Sequence, residues 1–305
     1  MTVPEQLVRT LRHQGYAYGY RVVPHSRPEL APVLLLGGAF QDMYSWRRHE
    51  ALLGRTATLV TVDLPGWGSA DRLPPRMGTD YLADAAHRVV AEAGLGPCHV
   101  VGASFGALIA QRLAQRHPGA VASLALSGIA DSMTAEQAAE LTEQTALLSA
   151  GAAGEFAERA TASLSPRDRT RTVRRAEPVR RLLTSEFAHC SPDARAKMVD
   201  NLWRLQNARM LHPDPVPDVP AVLFTGEHDT ITPPEHGRRL AAAYPRGRCV
   251  VVTEADHCVH LQRDGEYCRL LLTHFGGGDV RELPFCRTPR SAEPVLAPPS
   301  TGARA

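Results

Sequence analysis

Short apolar runs alternate with helical patterns along most of this chain, and no other feature limits the possible folds as strongly. The runs are bounded by turn residues and predict strands at 16–23, 32–38, 57–63, 98–104, 120–128, 220–226 and 248–256. Helical spacing predicts helices at 79–94, at 105–119, near 234–243 and near 260–275. Strands that alternate with helices are typical of an α/β fold with a mostly parallel sheet.

This alternation is interrupted between residues 131 and 215, where no convincing strand pattern occurs. One helix is predicted to begin after Thr134, in a capping-box pattern, and another after Ser191, which is followed by a proline at the first helical position. We therefore expect a helical insertion within an α/β domain.

The expected domain organisation follows from these boundaries. Residues 1–130 and 216–275 form the α/β core, and residues 131–215 form the helical insertion. Residues 276–305 contain three consecutive glycines and several prolines without periodicity. Such a composition favours a C-terminal extension that is partly mobile.

Composition and charge argue against several classes of function. A formal net charge of +2 provides no strong field for nucleic acid or an anionic membrane, and no apolar run approaches the length of a membrane helix. The N-terminal segment has no apolar region typical of a signal peptide, and the six cysteines favour reduced thiols, so we expect a cytoplasmic protein. Neither metal-ligand spacing nor a phosphate-binding glycine loop occurs, so we expect no metal and no cofactor.

The stretch VVGASFGAL places Ser104 between an apolar strand and a helix. Gly102 and Gly106 would allow a sharp turn that exposes the hydroxyl, but this pattern alone fits either a nucleophile or a small turn residue. An unassisted serine is a poor nucleophile, so a base and a residue that orients the base should follow. Asp229 and His257 fit these roles, because each comes after one of the last two predicted strands.

The order Ser104, Asp229, His257 resembles the α/β-hydrolase superfamily over about residues 15–275. The stretches LLLGGAF, VDLPGWGSAD and DHCVHLQRD match the family's loop after the oxyanion strand, the turn after the next strand and the histidine loop. The resemblance implies a mostly parallel, doubly wound sheet with a helical cap inserted after the sixth strand. It also implies that the three loops meet at the carboxyl edge of the sheet.

The resemblance assigns a role to each of these residues. Ser104 attacks an acyl carbonyl, His257 takes the serine proton and returns it to the leaving group, and Asp229 holds the imidazole tautomer. The backbone N–H groups of Phe105 and Ala39 would form the oxyanion hole. Further candidates for the substrate pocket are Phe40, Met43, Tyr44 and Trp203.

The assignments of Asp229 and His257 each have an alternative elsewhere in the sequence. Asp131 follows the preceding strand, where some family members carry the acid, although the stretch GEHD favours Asp229. His260 lies one helical turn after His257, but the family spacing selects His257. The chain also has Gly37-Gly38 where the family usually has His-Gly.

A serine at the turn favours hydrolysis of an ester, lactone or thioester through an acyl-enzyme. The alternative is a lyase or acyltransferase of a biosynthetic pathway that uses the same residues, and a non-catalytic binding module is a third reading. The expected partner is a small-molecule acyl substrate. An arginine-rich stretch at 167–181 could dock a carrier protein or a CoA thioester, although a solvated helix face is the reading that we favour.

Overall fold

A central sheet organises the computed structural model, which describes residues 7–166, 168 and 170–289. The sheet has nine strands in the order β1-β2-β4-β3-β5-β6-β7-β8-β9. Their bounds are β1 Leu7–His13, β2 Tyr16–Val23, β3 Val33–Leu36, β4 Leu59–Asp63, β5 Cys98–Ala103, β6 Val121–Ser127, β7 Ala221–Gly226, β8 Gly247–Val252 and β9 Cys286–Arg287. The six strands from β3 to β8 run parallel, whereas β1, β2 and β9 are antiparallel to their neighbours.

Helices cover both faces of this sheet. In chain order they are α1 Arg47–Leu53, α2 Thr79–Glu92, α3 Phe105–Arg116, α4 Ala135–Ser149, α5 Ala153–Ser163, α6 Ala176–Ala188, α7 Pro192–Gln206, α8 Pro234–Ala241, α9 Val259–Gln262 and α10 Asp264–Phe275. One core packs the sheet against α2, α3 and α8, and the other packs it against α1 and α10. Because both faces are covered, the central strands are buried and lack an alternating pattern.

The strand order places a crevice at the carboxyl end of the sheet. The chain runs from β3 outward to β4 and then returns to add β5 on the other side of β3. The loops after β3 and β5 therefore diverge from a point where the strand order reverses, which is where α/β sheets bind ligands. These loops carry Ala39 and Ser104.

The helices α4 to α7 form the cap, inserted after β6, which confirms the predicted fold class. They share a small apolar core that includes Leu148, Phe156, Phe187 and Leu202. Thr134 caps α4 in a capping box with Gln137, as the sequence pattern indicates. All four helices lie within residues 131–215, the segment expected to form the insertion.

The first and last described segments, Leu7–His13 and 280–289, differ from the sequence-based expectation. Strand β1 was not predicted, because most of its side chains are exposed on both faces and the apolar pattern is weak. Of the expected extension, residues 280–289 pack on the core: Val280 and Phe285 are buried, and β9 pairs with β8. A two-residue strand carries no periodicity that a sequence reading could detect. The remainder of the expected extension, 290–305, lies outside the described residues.

Among the helices of the described residues, none combines the length and the apolar content that crossing a membrane requires.

Candidate active site

Ser104 occupies a strained turn between β5 and α3. Its φ of 52° lies in a region that residues with a Cβ rarely adopt. The turn is possible because a Cβ at Gly102 would lie 2.4 Å from the Gly106 carbonyl, and one at Gly106 would lie 2.3 Å from the Leu36 carbonyl. The strand and helix therefore approach each other closely, and the serine projects from the turn.

His257 lies between Ser104 and Asp229. Its Nε2 is 3.0 Å from the Ser104 Oγ, and its Nδ1 is 2.8 Å from Asp229 Oδ2. The histidine follows β8 in a loop that reaches the carboxyl edge of the sheet. The structure thus brings together three residues that are far apart in the chain, in the order of contacts that nucleophilic catalysis requires.

The carboxylate of Asp229 is buried and saturated with donors. Oδ1 accepts the N–H groups of Ile231 at 2.9 Å and Thr232 at 2.8 Å, and Oδ2 accepts the hydroxyls of Thr225 and Thr232. Burial raises the pKa of Asp229, but His257 and these hydrogen bonds outweigh it and hold that pKa below its usual value. The residue is therefore an anion that can stabilise an imidazolium.

Burial lowers the pKa of His257, and the charge of Asp229 raises it. Burial is the largest single effect, but the charge of Asp229, its hydrogen bond to the imidazole and the charge of Asp256 together outweigh it, so the pKa of His257 lies above its ordinary value of 6.5. The imidazole is consequently a stronger base than a free histidine, and it must be neutral in order to accept the serine proton.

Neither of the two alternative residues takes part in these contacts. Asp131 pairs with His236 at 2.5 Å and with Arg239 at 2.6 Å, and no contact joins it to His257 among the described residues. His260 is buried below the loop that follows β3, with its Nε2 3.1 Å from the Gln41 amide nitrogen, and burial lowers its pKa to about 3.

The two expected oxyanion donors flank Ser104. Phe105 is the first residue of α3, so its N–H has no acceptor within the helix. Ala39 follows Gly38, and a Cβ at Gly38 would lie 3.4 Å from the Ser104 Cβ. The side chains of Gln41, Trp67 and Asn201 hold this loop by donating to or accepting from its backbone, and no sequence pattern indicates them.

A cavity of about 1120 Å³ opens beside Ser104 and His257, between the core and the cap. Most of its wall is apolar and includes Phe40, Leu108, Leu141, Leu183, Phe187 and Leu205. Tyr44 also lines it. Such a pocket suits an apolar ligand whose reacting group lies at the polar end.

Two residues expected at the pocket do not reach it. Met43 is buried below the loop, where its N–H donates to Asp63 Oδ1 at 2.7 Å. Trp203 is 43% exposed on the outer face of α7, because its neighbour Leu202 occupies the inner face and successive helical residues differ by about 100°. Their apolar character alone did not reveal which way they face.

The arginine-rich stretch fastens the cap to the core. Arg174 donates to Glu254 at 2.7 Å and Arg175 to Asp264 at 3.1 Å, so these charges are paired within the chain. Arg167 and Arg169 lie outside the described residues. Among the described residues, no group of three His, Cys, Asp or Glu side chains is placed to hold a metal ion.

Comparison with known proteins agrees with this geometry. The family model described as alpha/beta hydrolase fold matches residues 31–264. A pimeloyl-[acyl-carrier protein] methyl ester esterase of Chromobacterium violaceum is 31% identical over 252 residues, which cover 76% of this chain and 92% of that protein. A protein of the same name from Neisseria meningitidis is 29% identical, with 74% of this chain and 85% of that protein covered.

Among solved structures, the enol-lactonase from Burkholderia xenovorans superposes with a TM-score of 0.75 at 20% identity, covering 88% of this chain and all of that one (100%). At that identity the likeness shows the fold alone. The family match, by contrast, extends from the loop before β3 to the start of α10 and includes all three catalytic candidates. The chain therefore belongs to the α/β hydrolase fold family.

Proposed function

We propose that this protein is a serine hydrolase that cleaves an ester, lactone or thioester through an acyl-enzyme on Ser104. The observation that carries the proposal is the chain of two hydrogen bonds, 3.0 Å from Ser104 to His257 and 2.8 Å from His257 to Asp229. These three residues lie at the carboxyl edge of the sheet, next to the apolar cavity.

The reaction takes place in two halves. Ser104 Oγ attacks the acyl carbonyl while His257 Nε2 accepts its proton, and the carbonyl oxygen becomes an oxyanion next to the N–H groups of Phe105 and Ala39. His257 then protonates the leaving alcohol or thiol, which leaves an acyl-enzyme. A water molecule gives its proton to His257 and attacks the ester, and the released serine regains a proton.

The substrate that we propose is the ester of a medium-length acyl chain. The apolar cavity has room for such a chain, and the relatives named above act on a pimeloyl-[acyl-carrier protein] methyl ester. A carrier protein as the acyl donor is supported by those names and by Arg47 and Arg48, which are exposed where they line the cavity and would attract an acidic partner. We also propose a cytoplasmic location, which is supported by six cysteines that are free thiols.

A fluorophosphonate probe and p-nitrophenyl acyl esters test the proposal. We expect one adduct at Ser104, and we expect Ser104→Ala to lose the adduct and at least about 10⁴-fold in kcat. Ser149→Ala, at the exposed end of α4, is the matched control and should keep both.

Native protein that forms no adduct would contradict the acyl-enzyme. A labelled serine with no release of acid would favour acyl transfer or elimination. Faster hydrolysis of a carrier-bound methyl ester than of the free methyl ester would support the carrier protein, and equal rates would argue against it.

A further inference from the structure

We propose that Trp67 is a positioning residue for the oxyanion hole, because its indole N–H holds the Gly38–Ala39 peptide in the orientation that aims the Ala39 N–H at the reacting carbonyl. The inference rests on the proposed function, in which Ser104 forms an acyl-enzyme and Ala39 supplies one of the two donors.

The central contact is a buried hydrogen bond from Trp67 Nε1 to the Gly38 carbonyl oxygen, 2.9 Å long. The Gly38 C=O and the Ala39 N–H belong to one planar trans peptide, so they point in opposite directions. When Trp67 fixes the carbonyl on its own side, the Ala39 N–H must face the other side. Gly38 packs against the Ser104 turn, so the amide proton is presented next to the nucleophile.

Two further backbone groups of this loop are held by side chains. Gln41 Oε1 accepts the Gly38 N–H at 2.7 Å, and Asn201 Nδ2 donates to the Ala39 carbonyl at 3.3 Å. Among the described residues, the Ala39 N–H has no acceptor within the protein. A free donor whose own peptide is tethered at the carbonyl, with the preceding N–H and the following carbonyl also held, is what stabilisation of an oxyanion requires.

Trp67 is itself held firmly. It lies in the turn after β4, where its N–H donates to the Leu64 carbonyl at 2.8 Å and its carbonyl accepts the Ala70 N–H at 2.9 Å. Trp67 as a residue is 5% exposed, and its ring centroid lies 5.7 Å from that of Phe105, the residue with the second proposed oxyanion donor. One side chain therefore touches both sides of the proposed hole.

The Gly38 carbonyl has a second donor, the N–H of Gln41 at 3.3 Å. This bond is longer than the bond from Trp67. Its donor, the Gln41 N–H, belongs to the same loop as Gly38, so the bond can move with the peptide and does not anchor the peptide to the core. The indole bond ties the peptide to a separate element. An amide whose carbonyl is already hydrogen-bonded is also a stronger donor.

Trp67→Phe tests the inference, because it removes the N–H and retains an aromatic ring. We expect kcat for p-nitrophenyl esters to fall about 10-fold, less than the 10²- to 10³-fold typical of losing a whole oxyanion donor, with KM within about twofold. Affinity for a trifluoromethyl ketone, which forms a tetrahedral adduct with serine, should fall in parallel with kcat/KM. The acid limb of the pH profile should not move, since His257 is untouched.

Trp203→Phe, on the exposed face of α7, is the matched control and should leave all three quantities unchanged. If Trp67→Phe folds poorly, β-(3-benzothienyl)alanine at position 67 replaces only the N–H by sulfur and keeps the shape of the indole.

Unchanged kcat and ketone affinity in a folded variant would overturn the inference, as would a rise in KM alone, which would make Trp67 a substrate-binding residue. Failure of the proposed function would look different. If the proposed function is wrong, Ser104→Ala retains turnover. If only the positioning role of Trp67 is wrong, Ser104→Ala is inactive and the Trp67 variants keep the activity of the wild type.

Discussion

The Oδ2 atom of Asp229 is shared between His257 and two threonine hydroxyls. Thr225 and Thr232 both donate to it, and Thr232 Oγ1 also lies 3.4 Å from His257 Nδ1. Each hydroxyl stabilises the carboxylate and thereby weakens its attraction for a proton on the imidazole. At this scale, the basicity of His257 depends on hydroxyl groups that are hydrogen-bonded to Asp229 and not to the serine.

Thr232→Val should therefore raise the pKa of His257 further. In the wild type this pKa already lies above 6.5, so kcat/KM should fall as the pH drops through it and the imidazole takes up a proton. Removal of one hydroxyl from Oδ2 should move this acid limb upward by about half a pH unit, equivalent to about 0.7 kcal/mol. The measurement is kcat/KM for a p-nitrophenyl ester between pH 5 and pH 9.

Thr61→Val provides the control, because Thr61 is buried in β4 and its hydroxyl has no hydrogen-bond partner among the described residues. Its profile should overlay that of the wild type. An acid limb that stays in place, or moves to lower pH, in Thr232→Val would contradict the proposed sharing of Oδ2.

The sequence predicts Ser104, Asp229 and His257 as catalytic residues because each follows a strand and their order is typical of the family. It did not identify the tethers of the oxyanion loop. Trp67 contacts Gly38 across 29 positions of the chain, and Asn201 contacts Ala39 across 162. Such contacts depend on how loops fold over one another, and neither periodicity nor spacing carries that information.

At the scale of elements, α7 joins the cap to the core through a buried arginine. Arg204 is 2% exposed and donates to the carbonyls of Met77 at 2.7 Å and Leu73 at 2.9 Å, and to the amide oxygen of Asn201. Burial lowers the pKa of Arg204 to about 10, so it remains a cation at neutral pH. The same helix that closes the cavity thus fixes the loop after β4 and, through Asn201, the oxyanion loop.

Arg204→Met should destabilise the protein by about 3 kcal/mol, because it leaves several buried carbonyls without a donor while filling a similar volume. The free energy of unfolding in urea measures this loss. Arg181→Met on α6, where the side chain is 69% exposed, should change stability by less than about 0.5 kcal/mol. Equal stabilities of the two variants would mean that Arg204 does not fasten the cap.

The sequence indicated most helices and strands, and several predicted ends lie within a few residues of the observed ones. The helix expected at 79–94, for example, is found at Thr79–Glu92. It failed where periodicity is absent or misleading. The helix expected near 260–275 is divided at Arg263, whose backbone leaves the helical region with φ −130°. The strand expected at 248–256 ends at Val252, since the chain there turns into the histidine loop.

At the scale of the whole molecule, the cavity exists only because cap and core meet over the edge of the sheet. Phe40 of the core lies 5.0 Å from Phe187 and 5.8 Å from Phe156 of the cap, measured between ring centroids. A helical insertion could be predicted because the alternation of strand and helix patterns is interrupted between residues 131 and 215. The shape of the cavity could not, because its wall is assembled from segments of both parts.

This architecture makes acyl-chain selectivity a property of the cap. Leu183 on α6 lines the cavity, whereas the proposed catalytic residues and the loop with the proposed oxyanion donor Ala39 all belong to the core. Leu183→Trp should fill part of the acyl space and lower kcat/KM for p-nitrophenyl octanoate at least about 10-fold, because an overfilled pocket excludes a long chain. The acetate ester occupies only the catalytic end, so its kcat/KM should stay within about twofold.

Leu211→Trp, at a position that is 52% exposed, controls for the added indole and should leave both substrates unaffected. An equal loss for acetate and octanoate in Leu183→Trp would indicate that the substitution disturbs the catalytic residues through the fold. Unchanged kcat/KM for both esters would mean that the acyl chain leaves the active site by another route, away from the cap. Only a loss confined to the long chain assigns selectivity to the cap and catalysis to the core.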